Sequence, residues 1–100
     1  WLVIFEEEPM FSASCLNRVA FVKPTDGYKR VLASIQRISC HVSTVGVAPM
    51  NERAMAFAVE LARMGVPRVC PIGQMQRPPL SHHHDGRPNL AELVSWTDVG

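Results

Sequence analysis

A chain of 100 residues, 47% hydrophobic and 19% charged, has room for one small domain and is too apolar to be a disordered segment. Its net charge of +1 gives no footprint for a nucleic acid or an anionic membrane, and no apolar run approaches the roughly 20 residues of a membrane span. Three cysteines at wide, irregular spacing make neither a disulfide framework nor a zinc pattern, so a reducing, cytoplasmic setting is expected.

The chain opens on Trp1 inside an apolar run, with no initiator Met and no secretory signal; the true start is expected upstream. Trp1 to Phe5, WLVIF, is too short for a helix and predicts a buried strand. Glu6-Glu7-Glu8 reads as a solvated turn, and Glu6 to Asn17, with Pro9 and Ser12-Ala13-Ser14, as a connection. Arg18 to Lys23, RVAFVK, predicts a second strand, stopped by Pro24. Thr25 or Asp26 is the expected cap of a helix whose apolar stripe is Tyr28, Val31, Leu32, Ile35 and Ile38.

Val42 to Val47 predicts a third strand, with Gly46 marking close backbone approach. Asn51 caps the next helix and Glu52 suits its positive start; Met55, Ala58, Val59 and Ala62 are expected to face inward. Gly65 ends that helix and Pro67 prevents its resumption. Arg68 to Ile72 predicts a fourth strand, with Pro71 at an end or an edge. Asn89 is the expected cap of a last helix carrying Leu90, Leu93, Val94 and Trp96.

Strands alternating with helices point to an α/β fold, a parallel βαβ sheet flanked by helices. Ligands on such sheets gather outside the carboxyl ends of the strands, and the Gly73–Asn89 loop leaves from such an end. It carries His82-His83-His84-Asp85, with Arg87 able to meet a phosphate or carboxylate. Adjacent residues of an extended chain point to alternate faces, so no metal site is expected there. Two readings stay open: a histidine that orients substrate or moves a proton, and a structural loop whose imidazoles and Asp85 satisfy backbone groups. Asp85-Gly86 is a turn signal.

None of the cysteines is nominated as a nucleophile. Cys70 lies in an apolar strand, Cys40 merely neighbours His41, and Cys15 has no base placed by the sequence. No Gly-rich dinucleotide fingerprint or phosphate loop is present.

The run Cys70-Pro71, Gly73, Met75-Gln76, Pro78-Pro79-Leu80, His83-His84-Asp85-Gly86, Leu90, Leu93-Val94 and Trp96 resembles the C-terminal stretch of acyl-CoA reductases of the bacterial luminescence (LuxC) type. Leu16-Asn17-Arg18, Val22-Lys23-Pro24 and Ser43-Thr44-Val45-Gly46-Val47 look like the same family. His82 stands where those reductases usually have Trp, so an aromatic wall is not expected there. The resemblance implies an aldehyde dehydrogenase-like catalytic domain of which residues 1–100 are the C-terminal part. It also implies NADPH-dependent reduction of a long-chain fatty acyl-CoA, or another acyl thioester, to an aldehyde through a cysteine acyl-enzyme.

That nucleophile, and most of the nucleotide site, would lie upstream, leaving the chain alone inactive. His83, His84 and Asp85 would border the acyl tunnel or position the thioester, with Arg87 a candidate for substrate binding. A homo-oligomer or an acyl-transfer partner is compatible with this reading. From other classes come a small non-catalytic α/β module that binds through the histidine loop, and a truncated relative without activity.

Overall fold

The computed structural model describes residues 1–14 and 17–100. Cys15, set aside as a nucleophile, and Leu16 of the family-like Leu16-Asn17-Arg18 lie outside the described residues. The chain divides into two units, residues 1–39 and 40–100.

In the first unit, β1 (Leu2–Phe5) pairs in parallel with β2 (Val19–Val22), Leu2 opposite Val19 and Phe5 opposite Val22. The ladder is extended by Leu2 N–H to Arg18 O at 2.8 Å and Glu6 N–H to Val22 O at 3.0 Å. Parallel neighbours require a long return. Here the described residues of the return, 6–14 and 17–18, contain no helix, and a side chain holds part of them. The Lys23 ammonium donates to Ser12 Oγ (2.9 Å) and to the carbonyls of Glu8 (3.1 Å) and Met10 (2.5 Å). It also pairs with Glu6 Oε2 at 2.6 Å and lies 5.9 Å from the Phe21 ring centroid. Only Glu7 and Glu8 of the acidic run are therefore the solvated residues expected; Glu6 is half-buried.

The apolar run that predicted a buried strand is mostly exposed, with Leu2 at 54%, Val3 at 67% and Phe5 at 65%. Apolar composition selects an extended segment for burial, but a sheet of two strands has too little area to bury both its faces.

The helix α1 (Tyr28–Ile35) starts at Gly27, not at Thr25 or Asp26. Thr25 Oγ1 bonds Gly27 O at 3.1 Å and Asp26 pairs with Arg30 at 3.5 Å, so both predicted caps are engaged elsewhere. Val31, Leu32 and Ile35 are half-buried as expected, while Tyr28 is exposed. A 3-10 stretch, Gln36–His41, carries the chain on, and Ile38 falls in it.

The second unit is a βαβ element. Strand β3 (Val45–Val47) pairs in parallel with β4 (Val69–Pro71), joined through α2 (Glu52–Arg63). Gly46 is needed where it stands: a Cβ there would collide with the Met75 side chain and lie 3.1 Å from Ile72 Cα. Pro71 closes β4, where its missing N–H costs no internal ladder bond. The α/β class and the parallel pairing hold; among the described residues each unit has its own sheet of two strands, in place of the single sheet expected. Periodicity marks a strand and is silent on its neighbour.

Asn51 caps α2 as predicted, its Oδ1 accepting the Ala54 N–H at 3.1 Å. The buried face is not the predicted one. Ala54 and Leu61 are buried and Phe57 and Ala58 half-buried, whereas Met55 (55%) and Val59 (48%) are exposed. The helix is apolar on two adjoining stripes, and composition cannot rank them. Gly65, at φ 88, ends it. Gly65 N–H reaches Ala62 O at 3.0 Å and Val66 N–H reaches Leu61 O at 3.1 Å, the two bonds of a Schellman ending. Among the described residues, no helix is long and apolar enough to cross a membrane.

Two expectations follow. Asn51→Ala should lower stability by about 1 kcal/mol in denaturant titration, and Asn51→Ser by much less. Glu6 is held below its ordinary value of 4.5, first by the Lys23 hydrogen bond, then by the Lys23 charge and Ser12, against partial desolvation. Its contribution is complete above 4.5 and disappears as pH falls through the lowered folded-state value. Glu6→Gln should therefore be less stable than the parent at neutral pH and converge with it in acid; a gap independent of pH would contradict this assignment.

Candidate functional site

The loop after β4 begins under restraint. A 3-10 turn, Ile72–Gln74, follows the strand, and the Arg68 guanidinium grips the carbonyls of Gln74 and Met75, both at 2.8 Å. Farther on, His82 N–H bonds Pro79 O at 2.9 Å. Then His84 and Arg87 form an antiparallel bridge around Asp85-Gly86. Asp85 has φ 51 and Gly86 φ 76, and Arg87 N–H bonds His84 O at 3.0 Å. Positive φ at both central residues is the primed two-residue turn that Asp-Gly favours. A Cβ on Gly86 would lie 3.4 Å from Pro67 Cβ, so the turn sits against the segment that follows α2.

Asn89 does not cap a helix. Its Oδ1 accepts the His84 N–H at 3.0 Å and its Nδ2 donates to His82 O at 2.8 Å. With the carboxamide engaged, the predicted last helix is reduced to a 3-10 turn, Ala91–Leu93, without a side-chain cap. Leu90, Leu93, Val94 and Trp96, its expected apolar stripe, are exposed.

Of the predicted site residues, His84, Asp85 and Arg87 come together. With Pro88, Asn89 and Leu93 they line a cleft of about 610 Å³. His83 is exposed beside it and is not part of the lining, while His82 is half-buried. His84 Nδ1 lies 3.2 Å from Asp85 Oδ2, with both side chains largely exposed. Such a pair contributes at most about 1 kcal/mol and orients the ring more than it stabilises the fold. The lining sets the Arg87 guanidinium, the His84 imidazole and the Asn89 amide beside the Asp85 carboxylate and the apolar Pro88 and Leu93. Guanidinium and imidazole together suit a hydrogen-bonding group such as a phosphate or carboxylate.

Asp85 also borders a cleft of about 360 Å³ with Cys40, His41, Ser43, Gly65 and Pro67. Among the described residues, no group of three His, Cys, Asp or Glu side chains is placed to hold a metal ion. Cys40 is exposed and Cys70 buried within β4. The turn into α2, Ala48-Pro49-Met50, has no glycine. The α2 N-terminus is already capped by Asn51 and carries Glu52 in its first turn. A dinucleotide pyrophosphate needs open N–H groups and no acid at such a place, so these residues do not fit NADPH.

The first unit holds a different cleft, about 520 Å³, walled by Phe11, Phe21, Val31 and Ile35 at the carboxyl end of β2. Its polar rim is engaged internally. Lys23 is held as described, Ser34 Oγ donates to Val31 O at 2.8 Å, and Ser14 Oγ to Val19 O at 3.1 Å. Sequence reasoning missed both the Lys23 cluster and the Asn89 bonds. A lysine before a proline and an asparagine after one carry no periodic signal.

Compared with known proteins, residues 1–96 match the family model described as Acyl-CoA reductase (LuxC). No curated protein and no solved structure matches the chain.

Gly86→Ala should cost about 1 kcal/mol, because its left-handed φ is unfavourable with a Cβ. Gly73→Ala, with open space around it, should be near neutral. Thermal denaturation of the two variants compares them directly.

Proposed function

Because the chain belongs to the LuxC family of acyl-CoA reductases, we propose that it is the C-terminal part of the catalytic domain of a long-chain fatty acyl-CoA reductase with an aldehyde dehydrogenase-like fold. The family match over residues 1–96 carries the reading. The apolar faces support a larger domain: Leu2, Val3 and Phe5 of β1 and Met55 and Val59 of α2 are exposed at positions where further protein would cover them.

In this reading a cysteine thiolate elsewhere in the protein attacks the thioester carbonyl carbon, forms the acyl–sulfur bond and expels CoA as its thiol, which takes up a proton. The reduction with NADPH to the aldehyde draws on a nucleotide site that lies mostly in another segment, since the start of α2 does not fit a pyrophosphate. The role left to residues 82–89 is to position the thioester through its CoA side. In this role Arg87 would meet a phosphate, and His83 and His84 would supply N–H donors beside it. The guanidinium and imidazole of the cleft support this over a place along the acyl tunnel.

Two measurements test the proposal. In the reductase that contains this chain, His83→Ala/His84→Ala should lower kcat/KM for acyl-CoA by about tenfold or more, with little change in thermal stability. Unchanged kinetics would remove the site. The purified 100-residue chain should form no aldehyde from acyl-CoA and NADPH; aldehyde formed by it alone would overturn the assignment of the nucleophile to another segment.

A further inference from the structure

We propose that Asn89 is the positioning residue of the histidine cleft, its single carboxamide fixing the peptide groups on both sides of His83; this rests on the reading of the cleft as a thioester-positioning site. Asn89 Nδ2 donates to His82 O at 2.8 Å and Asn89 Oδ1 accepts from His84 N–H at 3.0 Å. The two bonds span three consecutive histidines. They hold that backbone where it enters the Asp85-Gly86 turn, itself closed by Arg87 N–H to His84 O.

The residue type is specific to this task. One donor and one acceptor must be presented together at the distance of one short side chain. Aspartate offers only acceptors, alanine neither, and glutamine places the same group one methylene farther out. The span His82–His84 is not a regular strand and has no ladder of its own. Without the amide, His84 N–H and His82 O would turn to water, and the directions of the His83 and His84 rings would no longer be set by the backbone. Asn89 therefore acts through the histidines. The loss on replacing it should be a loss of substrate positioning, with the chemistry itself unchanged.

The test is a double-mutant cycle in the reductase that contains this chain. Asn89→Asp keeps the oxygen facing His84 N–H but sets a second oxygen against His82 O; Asn89→Ala removes both bonds. Each should lower kcat/KM for acyl-CoA by about fivefold to tenfold, mainly through KM, with kcat within about twofold. In the His83→Ala/His84→Ala background the Asn89 substitutions should add nothing further. Full multiplication of the two effects would overturn the proposal, since Asn89 would then act apart from the histidines. If the histidine variant loses activity and Asn89→Asp does not, the proposal fails while the site reading stands; if the histidine variant is unaffected, both fall. Amide exchange gives a readout that does not depend on turnover. His84 N–H should exchange about tenfold faster in Asn89→Ala than in the parent or in Asn89→Asp, and equal rates in all three would also overturn it.

Discussion

The left-handed glycine that ends α2 is the constraint on which the second unit depends. At φ 88, Gly65 turns the chain back so that Val66 N–H bonds Leu61 O. Both Leu61 and Val66 are buried. The next residues inherit that geometry. Pro67 becomes the seat of the Asp85-Gly86 turn, Arg68 O accepts Val45 N–H at 2.9 Å, and Val69 opens β4 in register with β3. Register then brings Ile72 and Met75 onto Gly46, the one position in β3 where a missing side chain leaves room. Packing and hydrogen bonding thus place the start of the histidine loop before any of its own residues contributes.

The first unit is organised by charge. An ammonium with three donors ties together a carboxylate, a hydroxyl and two backbone carbonyls in a return segment that has no ladder of its own. Pro9 and Phe11 add an apolar edge to that path, where both line the cleft of this unit. The arrangement also engages the polar atoms around the Phe11–Phe21 cleft, which is why that cleft is apolar while the histidine cleft is not. The two clefts differ less in size than in whether their polar groups are already committed to the fold.

Much of this was legible in the sequence where a residue's local chemistry decides the outcome. Asn51, Gly65, Gly46, Pro71 and Asp85-Gly86 each do what their type predicts, because a cap, a left-handed turn or a close approach depends on a few neighbouring atoms. The misreadings share another cause. The inward stripe of α2, the pairing of β2 and the exposure of β1 depend on what lies opposite, which hydrophobic periodicity does not encode. Asn89 is the instructive case. Before an apolar run it has the signature of a helix cap, yet two backbone groups five and seven residues upstream engage its amide first. The place of residues 73–89 at the carboxyl end of a strand located the loop; it could not say which member of the loop builds it.

The sequence leaves open a structural reading of the histidines, their N–H groups satisfying a turn-rich backbone. In the structure that work is done by others. Pro79 O accepts His82 N–H, His83 O accepts Gly86 N–H at 3.2 Å, His84 O accepts Arg87 N–H, and Asn89 serves His82 O and His84 N–H. The ion pair of His84 with Asp85 is exposed and weak. A loop shaped by proline, an Asp-Gly turn and an asparagine does not need three consecutive imidazoles for its shape. On the proposed reading, rings whose backbone is fixed by other groups meet a ligand in a cleft that the Arg87 guanidinium and the Asp85 carboxylate both line. In an acyl-CoA the phosphates belong to the carrier and not to the chain it delivers, so the proposed reading sets the loop toward the CoA side of the thioester, where a guanidinium has a partner.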